Sequence, residues 1–259
     1  MGASDESRKE MKAKSGATVG ETVRTVIYAI LIALAIRTFA FEPFNIPSGS
    51  MEPTILVGDY VFVAKYAYGY SRYSFPFSLP LFSGRIFFHK PKRGDVVVFR
   101  LPRDPSIDYI KRLIGLPGDR IQMRNSVLYI NGKPVQRRQV QDFVERGRHG
   151  VLHHYPQYIE TLPNGVSYHA VYMDPTEPLD NTPVFVVPPG HYFMMGDNRD
   201  DSTDSRVPEN QGGVGFVPAA NLVGRADMLF FSTNGRYPFW KVWDWPWDIR
   251  FSRIFTFIS

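Results

Sequence analysis

The sequence predicts a mostly β protein with one membrane-spanning helix near its N-terminus. An apolar segment of membrane length lies within the first 41 residues, and short β-branched runs separated by turns follow it. No long amphipathic helical pattern occurs after residue 41. With 259 residues, 44% hydrophobic residues and a mean hydropathy of -0.21, the chain suits a folded core but not a bundle of membrane helices.

The composition excludes several kinds of chemistry. The chain contains no cysteine, which rules out disulfides, thiol nucleophiles and cysteine-ligated metals. Its net charge of +5 suits contact with an anionic surface, either lipid or nucleic acid. Because the chain has no Lys/Arg-rich block and no nucleic-acid-binding motif, we predict no nucleic-acid partner. We also predict no cofactor.

The N-terminal segment predicts a retained membrane anchor. Residues 1–21 are polar and contain four basic side chains: Arg8, Lys9, Lys12 and Lys14. Residues 25–36 are uncharged, and a membrane span needs about 20 residues. We therefore place the span at residues 22–41, with Arg24 and Arg37 reaching towards the headgroups. The basic side of a span stays in the cytoplasm, so everything beyond residue 41 is expected outside.

Two other interpretations of this segment remain open. The tripeptide Ala33-Leu34-Ala35 fits the small-x-small pattern of a signal peptide cleavage site. Cleavage there would fall inside the apolar run, which continues past it. A buried core helix of a soluble domain is the other alternative.

Beyond the anchor, the pattern predicts antiparallel β structure. Strand-like runs occupy residues 56–65, 94–100, 108–114, 184–187 and 190–196. Residues 127–135 predict a hairpin with a two-residue turn at Asn131-Gly132, which is a strong local signal.

Two stretches look like insertions into this β region. Residues 66–93 are rich in Tyr, Phe, Ser and Pro and have no clear period. Residues 136–182 are polar and irregular, and they hold four of the six histidines: His149, His153, His154 and His169. Because their spacing matches no structural zinc pattern, we predict surface histidines and no metal site.

The C-terminal residues 236–259 are unusually aromatic. They hold all four tryptophans and further large apolar side chains: Trp240, Trp243, Trp245, Trp247, Phe251, Ile254, Phe255 and Phe257. Tryptophan favours the membrane–water interface. Contact with the lipid surface and packing against the β core both remain open for this tail.

Ser50 is the strongest candidate nucleophile, because it follows the apolar segment in the unusual run Pro47–Thr54. No histidine lies near it in sequence, but Lys111 lies in a strand-like apolar run. A lysine of ordinary pKa, about 10.4, is a useful base only if its pKa falls by roughly 3 units, or about 4 kcal/mol. Burial beside Tyr109 and Leu113, which share its strand face, would lower the pKa.

A strand lysine is more often an exposed edge residue than a base. The run Gly196–Arg206 places acids, hydroxyls and arginines within eleven residues. This composition favours a catalytic role for Lys111. On its own, that loop also fits a calcium-like loop or a solvated turn. Arg112, on the opposite strand face from Lys111, is expected to stay charged because arginine does not deprotonate.

Four segments, in this order, resemble bacterial type I signal peptidases, also called leader peptidases. They are Pro47–Thr54, Arg93–Phe99, Tyr109–Arg112 with Gly115–Asp119, and Gly196–Arg206. The resemblance extends from the anchor to about residue 230, but residues 66–93 and the aromatic tail depart from the common pattern. It implies a membrane-bound serine endopeptidase that removes N-terminal signal peptides from exported preproteins through an acyl-enzyme.

The resemblance assigns roles residue by residue. Ser50 matches the nucleophile and Lys111 the general base of a Ser-Lys dyad. Ser48 matches the residue whose hydroxyl joins the Ser50 backbone N–H in the oxyanion hole. Ser202 matches the serine that hydrogen-bonds to the lysine and orients it. Asp204 and Arg206 match the ion pair that supports the site.

The resemblance also implies shallow apolar pockets that accept small residues and give an Ala-x-Ala preference. The pocket for the residue before the cut is assigned to Ile46, Met51, Ile55, Tyr109 and Ile110. The pocket for the third residue before the cut is assigned to Phe44, Val98 and Asp108. The substrate would dock as an extended strand against a sheet edge.

The same resemblance implies an antiparallel β catalytic core, residues 42–123 and 186–235, with a smaller β insertion at residues 124–185. It implies a single-pass protein of the bacterial plasma (inner) membrane, with a cytoplasmic N-terminus and the catalytic domain on the outer or periplasmic face. The expected partners are signal peptides of exported preproteins, the phospholipid bilayer and, by proximity, the protein-export machinery.

Two other classes of protein are alternatives: a different Ser-Lys hydrolase, such as a penicillin-binding enzyme or a self-cleaving repressor, and a non-catalytic binding protein. A penicillin-binding enzyme requires Ser-x-x-Lys, but Ser50 is followed by Met51-Glu52-Pro53. A self-cleaving repressor would carry a DNA-binding domain in place of the anchor. A non-catalytic, membrane-anchored binding protein would be expected to have lost one of Ser50, Lys111 and Ser48.

Overall fold

The computed structural model describes residues 3–75, 78, 82–147, 151–174, 177–235 and 240–258. This part of the chain contains two α-helices, α1 at Ala3–Phe39 and α2 at Trp245–Asp248. Strands β1 to β10 are Phe41–Asn45, Asp59–Ala64, Tyr70–Ser71, Arg85–Ile86, Val96–Leu101, Asp104–Gly115, Arg120–Arg124, Val127–Ile130, Lys133–Pro134 and Gln136–Gln139. Strands β11 to β19 are Phe143–Arg146, Leu152–Tyr155, Gln157–Thr161, Ser167–Val171, Phe185–Val186, His191–Met195, Val217–Pro218, Leu222–Ser232 and Thr256–Phe257. The predicted fold class, mostly β after one apolar helix, is confirmed.

Helix α1 contains the predicted anchor but has different limits. It begins at Ala3, within the segment predicted only as polar, and ends at Phe39. The predicted span to residue 41 runs past this end, because Phe41 already pairs in β1. The apolar part, Val19–Phe39, has 21 residues with a mean hydropathy of 1.8, and its side chains are exposed except for Thr38. Its length of roughly 30 Å matches the hydrocarbon thickness, so it could span a membrane.

Eight antiparallel strands form the main sheet. Their order is β1-β2-β18-β5-β6-β16-β17, and β19 pairs with β18. Strand β5 is buried on both faces, with Val96 and Val98 in one cluster and Val97 and Phe99 in another. Successive side chains of a strand point to opposite faces, which explains the unbroken apolar run Val96–Phe99 within the predicted strand at residues 94–100.

Smaller sheets form a second group beside the main sheet. They are the four-stranded sheet β15-β7-β8-β9, the three-stranded sheet β10-β13-β14 and the hairpin β11–β12. Side chains of both groups share one buried cluster, which includes Ile114, Phe193, Ile121, Leu128 and Tyr168. These sheets cover the predicted insertion at residues 124–185 and extend slightly beyond it, from Arg120 to Val186.

The predicted hairpin at residues 127–135 is confirmed. Strands β8 and β9 pair antiparallel and are joined by Asn131 and Gly132. Both turn residues have positive φ, 54° and 78°, as the favoured two-residue hairpin turn requires.

The described part of residues 66–93, together with the preceding Lys65, contacts the C-terminal end of α1. The Tyr70 hydroxyl donates a hydrogen bond to the Phe39 carbonyl at 2.7 Å, and the Lys65 backbone N–H donates to the Ala40 carbonyl at 3.0 Å. Carbonyls at a helix C-terminus have no partner inside the helix. This aromatic stretch therefore helps to attach the anchor to the β domain.

The predicted surface position of the histidines holds wherever the structure describes them. His153, His154 and His169 are exposed on β12 and β14, and His149 lies outside the described residues. No group of three or more acidic or histidine side chains among the described residues is arranged to hold a metal ion.

The tryptophans of the C-terminal tail do not pack into the core. Trp240, Trp243, Trp245 and Trp247 are 64%, 68%, 40% and 72% exposed. Trp240, Trp243 and Trp247 therefore lie outside the core, whereas the tail itself packs on the β domain, because β19 pairs with β18 and Ile258 lies against a core cluster. Contact with a lipid surface stays a prediction.

Candidate active site

Ser50 lies in the connection between β1 and β2, on a backbone fixed from several sides. The neighbouring side chains Ile46, Met51 and Ile55 are buried in the core. The Ser50 carbonyl accepts a hydrogen bond from the Asn198 backbone N–H at 3.2 Å. The serine is therefore held between the buried turn that carries it and the loop at residues 196–206.

Lys111 reaches Ser50 from strand β6. Its Nζ lies 2.5 Å from the Ser50 Oγ, and the two residues are only 4% and 6% exposed. The Tyr109 ring centroid lies 5.3 Å from Nζ, and Leu113 packs with Tyr109 in one cluster, as the strand alternation predicts. The fold thus joins two residues that are 61 positions apart in sequence.

The environment of Lys111 makes its neutral amine more populated than that of a free lysine. Burial lowers its pKa from 10.5 to about 8, although the negative charges of Asp204, Asp197 and Asp201 act in the opposite direction. None of these carboxylates forms an ion pair with the amine in the described structure. With this pKa, roughly one Lys111 in ten is neutral at pH 7, against fewer than about one free lysine in a thousand.

Two hydrogen-bond donors lie beside the Ser50 hydroxyl. The Ser48 Oγ is 3.5 Å from the Ser50 Oγ. Among the described residues, no group accepts a hydrogen bond from the Ser50 backbone N–H. The Ser50 N–H is thus available to a substrate oxygen, and the oxyanion role of Ser48 stays a prediction.

Ser202 lies next to the dyad, but it does not make the predicted contact. A Cβ at Gly196 would clash with the Ser202 hydroxyl and lie 2.5 Å from the Ser50 carbonyl oxygen. Ser202 is buried, and its Oγ has no hydrogen-bond partner among the described residues. The expected hydrogen bond between Ser202 and Lys111 is therefore absent. The close approach of Ser202 and the Ser50 carbonyl leaves room only for glycine at position 196.

Asp204 and Arg206 form the predicted ion pair. The Arg206 Nη2 lies 2.8 Å from the Asp204 Oδ2, and both side chains are buried. The same carboxylate oxygen accepts a hydrogen bond from the Gly196 backbone N–H at 3.0 Å. Burial acts to raise the pKa of Asp204, but the charge and hydrogen bonds of Arg206 outweigh it and hold the pKa below its ordinary value. The pair closes the loop at residues 196–206 on itself.

A second buried ion pair was not found by sequence reasoning. Arg112 contacts Asp197 through Nη2 at 2.7 Å and Nε at 2.8 Å, and both side chains are fully buried. Thr54 also donates a hydrogen bond to Asp197, at 2.5 Å. Arg112 was expected only to stay charged, and no sequence pattern singles out Asp197 among the acids of its loop.

A cleft of about 480 Å³ opens onto the dyad. Six of the eight predicted pocket residues line it: Phe44, Ile46, Val98, Asp108, Tyr109 and Ile110. The other two, Met51 and Ile55, do not line it, because both are completely buried and share a core cluster with Ile46. Sequence reasoning missed five further lining residues: Asn45, Pro47, Ile107, Asp201 and Thr203.

Asp108 supplies one of the few charges of the cleft wall. Burial raises its pKa, and the positive charge of Arg100 opposes this rise. The Arg100 Nη1 lies 3.2 Å from the Asp108 Oδ2. The Asp108 charge in the cleft wall is therefore paired with the neighbouring Arg100.

Comparison with known proteins identifies the family. Residues 19–231 match the family described as signal peptidase, peptidase S26. Signal peptidase I of Rickettsia typhi is 44% identical over an alignment of 261 positions, gaps included, which covers 93% of this chain and 95% of that protein. Signal peptidase I of Rickettsia canadensis is 42% identical over an alignment of 266 positions, which covers 95% of this chain and 96% of that protein.

A crystal structure of a signal peptidase I from Enterococcus faecalis is 30% identical in sequence and covers 53% of this chain and 97% of that chain, with a TM-score of 0.30. The family match spans most of this chain, and the Rickettsia proteins are similar over almost their whole length. This chain therefore belongs to the signal peptidase family, peptidase S26.

Proposed function

We propose that this protein is a membrane-anchored serine endopeptidase that removes N-terminal signal peptides from exported preproteins, with Ser50 as nucleophile and Lys111 as general base. The observation that carries the proposal is the 2.5 Å separation of the Lys111 Nζ and the Ser50 Oγ, two buried groups that face one cleft. Membership of the signal peptidase family supports the class of reaction.

The geometry supports a two-step acyl transfer. Neutral Lys111 accepts the hydroxyl proton while the Ser50 Oγ bonds to the scissile carbonyl carbon. The resulting oxyanion receives hydrogen bonds from the Ser50 N–H and the Ser48 hydroxyl, each worth about 3 kcal/mol. When the C–N bond breaks, the Lys111 ammonium protonates the leaving amine. Water then hydrolyses the ester on Ser50, with Lys111 again as the base.

The shape of the cleft supports cleavage after small residues. Bulky side chains of β1, β5 and β6 line it next to Ser50, including Phe44 and Ile110. Such walls leave room for Ala, Gly or Ser before the cut, which is the basis of the proposed Ala-x-Ala preference. An extended substrate would lie along these strands and form main-chain hydrogen bonds with them.

The anchor supports a location at the membrane surface. Helix α1 ends at Phe39, eleven positions before Ser50, so the dyad lies close in sequence to the end of the span. We place the basic N-terminus in the cytoplasm and the β domain on the outer or periplasmic face of the bacterial plasma membrane. There the cleft would meet preproteins emerging from the export machinery.

The test is cleavage of a purified preprotein by the full chain in detergent micelles. We expect Ser50→Ala and Lys111→Ala each to lose at least about 100-fold in rate, because each removes a group required for proton transfer or attack. Ser106→Ala and Lys92→Ala serve as matched controls, since both residues are exposed and neither lines the cleft. Cleavage at the wild-type rate by either dyad variant would contradict the proposed mechanism.

A further inference from the structure

Four buried side chains form one cluster between the inserted sheet β10-β13-β14 and residues 196–206. They are Glu160, Tyr168, Tyr172 and Arg199, each at most 5% exposed. Arg199 contacts Glu160 through two guanidinium nitrogens, at 2.6 and 3.1 Å. Both tyrosine hydroxyls donate to the Glu160 carboxylate at 2.7 Å and accept from Arg199 at 2.6 and 2.7 Å.

The charges of this cluster depend on each other. Burial acts to raise the pKa of Glu160, but the charge of Arg199 and three hydrogen-bonding side chains outweigh it, so the pKa is lowered. Burial raises the pKa of Tyr168 and Tyr172, which therefore stay protonated and can donate. Removing the Glu160 charge would leave a buried guanidinium without its counter-ion.

Arg199 connects the cluster to the backbone that holds the nucleophile. Its Nε donates to the Gly196 carbonyl at 3.2 Å, and its backbone N–H donates to the Val171 carbonyl at 2.9 Å. Val171 ends β14 and also bridges to Asn198, the residue whose N–H donates to the Ser50 carbonyl. The inserted sheet thus reaches Ser50 through one loop.

The same cluster contacts the strand that carries the base. The Arg112 guanidinium carbon lies 4.3 Å from the centroid of the Tyr168 ring. Arg112 follows Lys111 on β6 and is held by Asp197 of the same loop. Tyr168 therefore contacts both Arg112, the neighbour of Lys111, and Arg199, which lies in the loop that holds Ser50.

We propose that Glu160 is a positioning residue for the Ser50–Lys111 dyad, and that the inserted β subdomain is part of the catalytic apparatus through it. This inference rests on the proposed dyad. Glu160 acts through Arg199 and Tyr168, and none of the cluster residues lines the cleft. A displacement of about 1 Å at a reacting group can reduce a rate by about 100-fold, so loosening this cluster is sufficient to impair catalysis.

The experiment measures kcat, KM and the pH dependence of kcat/KM for the full chain in micelles with a preprotein. Glu160→Gln is expected to lower kcat by roughly 10- to 100-fold and to leave KM within about twofold. The midpoint of the acid limb should move upward, because a loosened loop exposes Lys111 and brings its pKa nearer to that of free lysine. Tyr168→Phe, which keeps the ring on Arg112, should show the same changes at smaller size.

Two controls separate positioning from general loss of stability. Leu128→Ala removes buried atoms from the core between the sheets and should lower Tm without moving kcat or the pH midpoint. Asp142→Asn changes an exposed acid of the same insertion and should leave all of these values unchanged. Ser50→Ala in the same assay tests the dyad independently of Glu160.

Wild-type kcat and pH midpoint in Tyr168→Phe would overturn the proposal, whether or not Glu160→Gln folds. So would a Glu160→Gln variant that loses no more activity than Leu128→Ala at equal Tm.

Discussion

Lys111 and Arg112 are neighbours on strand β6 and both are buried, but their pKa values are shifted in opposite directions. Lys111 has the Ser50 hydroxyl as its close partner, and burial lowers its pKa to about 8. Arg112 is buried as deeply, but the charge and hydrogen bonds of Asp197 outweigh its desolvation, and its pKa is raised. Strand alternation directs the two side chains to different surroundings.

The difference teaches that the partner, and not burial alone, decides the chemistry of these buried groups. The pKa values of buried acids also depend on whether the acid has an ion-pair partner. Glu52, which has no ion-pair partner among the described residues, has its pKa raised to about 7, mainly by burial. Glu160 and Asp204, which are paired with arginines, have lowered pKa values. Lys111 and Glu52 lie beside the nucleophile, whereas Asp204 lies behind it and holds the loop backbone through its pair with Arg206.

The largest expected effect comes from replacing each neighbour with the same apolar side chain. Arg112→Met leaves the buried Asp197 without its counter-ion and should lower the free energy of unfolding by about 3–5 kcal/mol. Lys111→Met removes an unpaired buried amine and should leave that free energy unchanged or raise it, while activity is lost. Denaturant unfolding of the full chain in micelles at pH 7 measures both. Equal destabilisation by the two substitutions would contradict the comparison.

A smaller effect is expected on the pH dependence of cleavage. Because the neutral amine of Lys111 is the base, kcat/KM should rise with pH on the acid side, with a midpoint near 8. Lys111→Arg keeps a positive charge that does not deprotonate, so this limb should disappear together with most of the activity. A midpoint near 10 in the wild-type protein would show that Lys111 is not desolvated.

The smallest effect concerns Glu52. Its folded pKa of about 7 lies above the ordinary 4.5, so its contribution to stability is complete below about pH 4.5 and is lost as pH rises through 7. Glu52→Gln should therefore raise Tm relative to wild type at pH 8, by a few degrees at most because the group is partly exposed. At pH 4 the difference should vanish. Glu209→Gln, at an exposed acid, is the control and should show no such dependence.

Predictions based on local patterns agree well with the structure. The hairpin turn at Asn131-Gly132 needs only two residues with positive φ, and the buried run Val96–Phe99 needs only a continuous apolar pattern. The apolar helix follows from its composition. Its exact end did not, because strand pairing of Phe41 with Ala64 competes with continuation of the helix.

Predictions that depend on long-range packing were less complete. Met51 and Ile55 were assigned to the substrate pocket, but apolar character does not tell which side chains face a cleft and which fill the core beneath it. Ser202 was placed correctly near the dyad, although its hydroxyl does not contact Lys111. The pairing of Ser50 with Lys111 came from the resemblance of four motifs, because nothing local connects residues so far apart.

The sequence by itself determined the anchor, the β character of the rest and the types of side chain available for catalysis, since these follow from composition, periodicity and motif. Only the tertiary structure decided which buried charges have partners. Asp197 pairs with Arg112 and Glu160 with Arg199, whereas Lys111 has no carboxylate partner within the described ranges of the chain. The reason is physical: a pKa depends on distances of a few ångströms between residues that lie far apart in the chain.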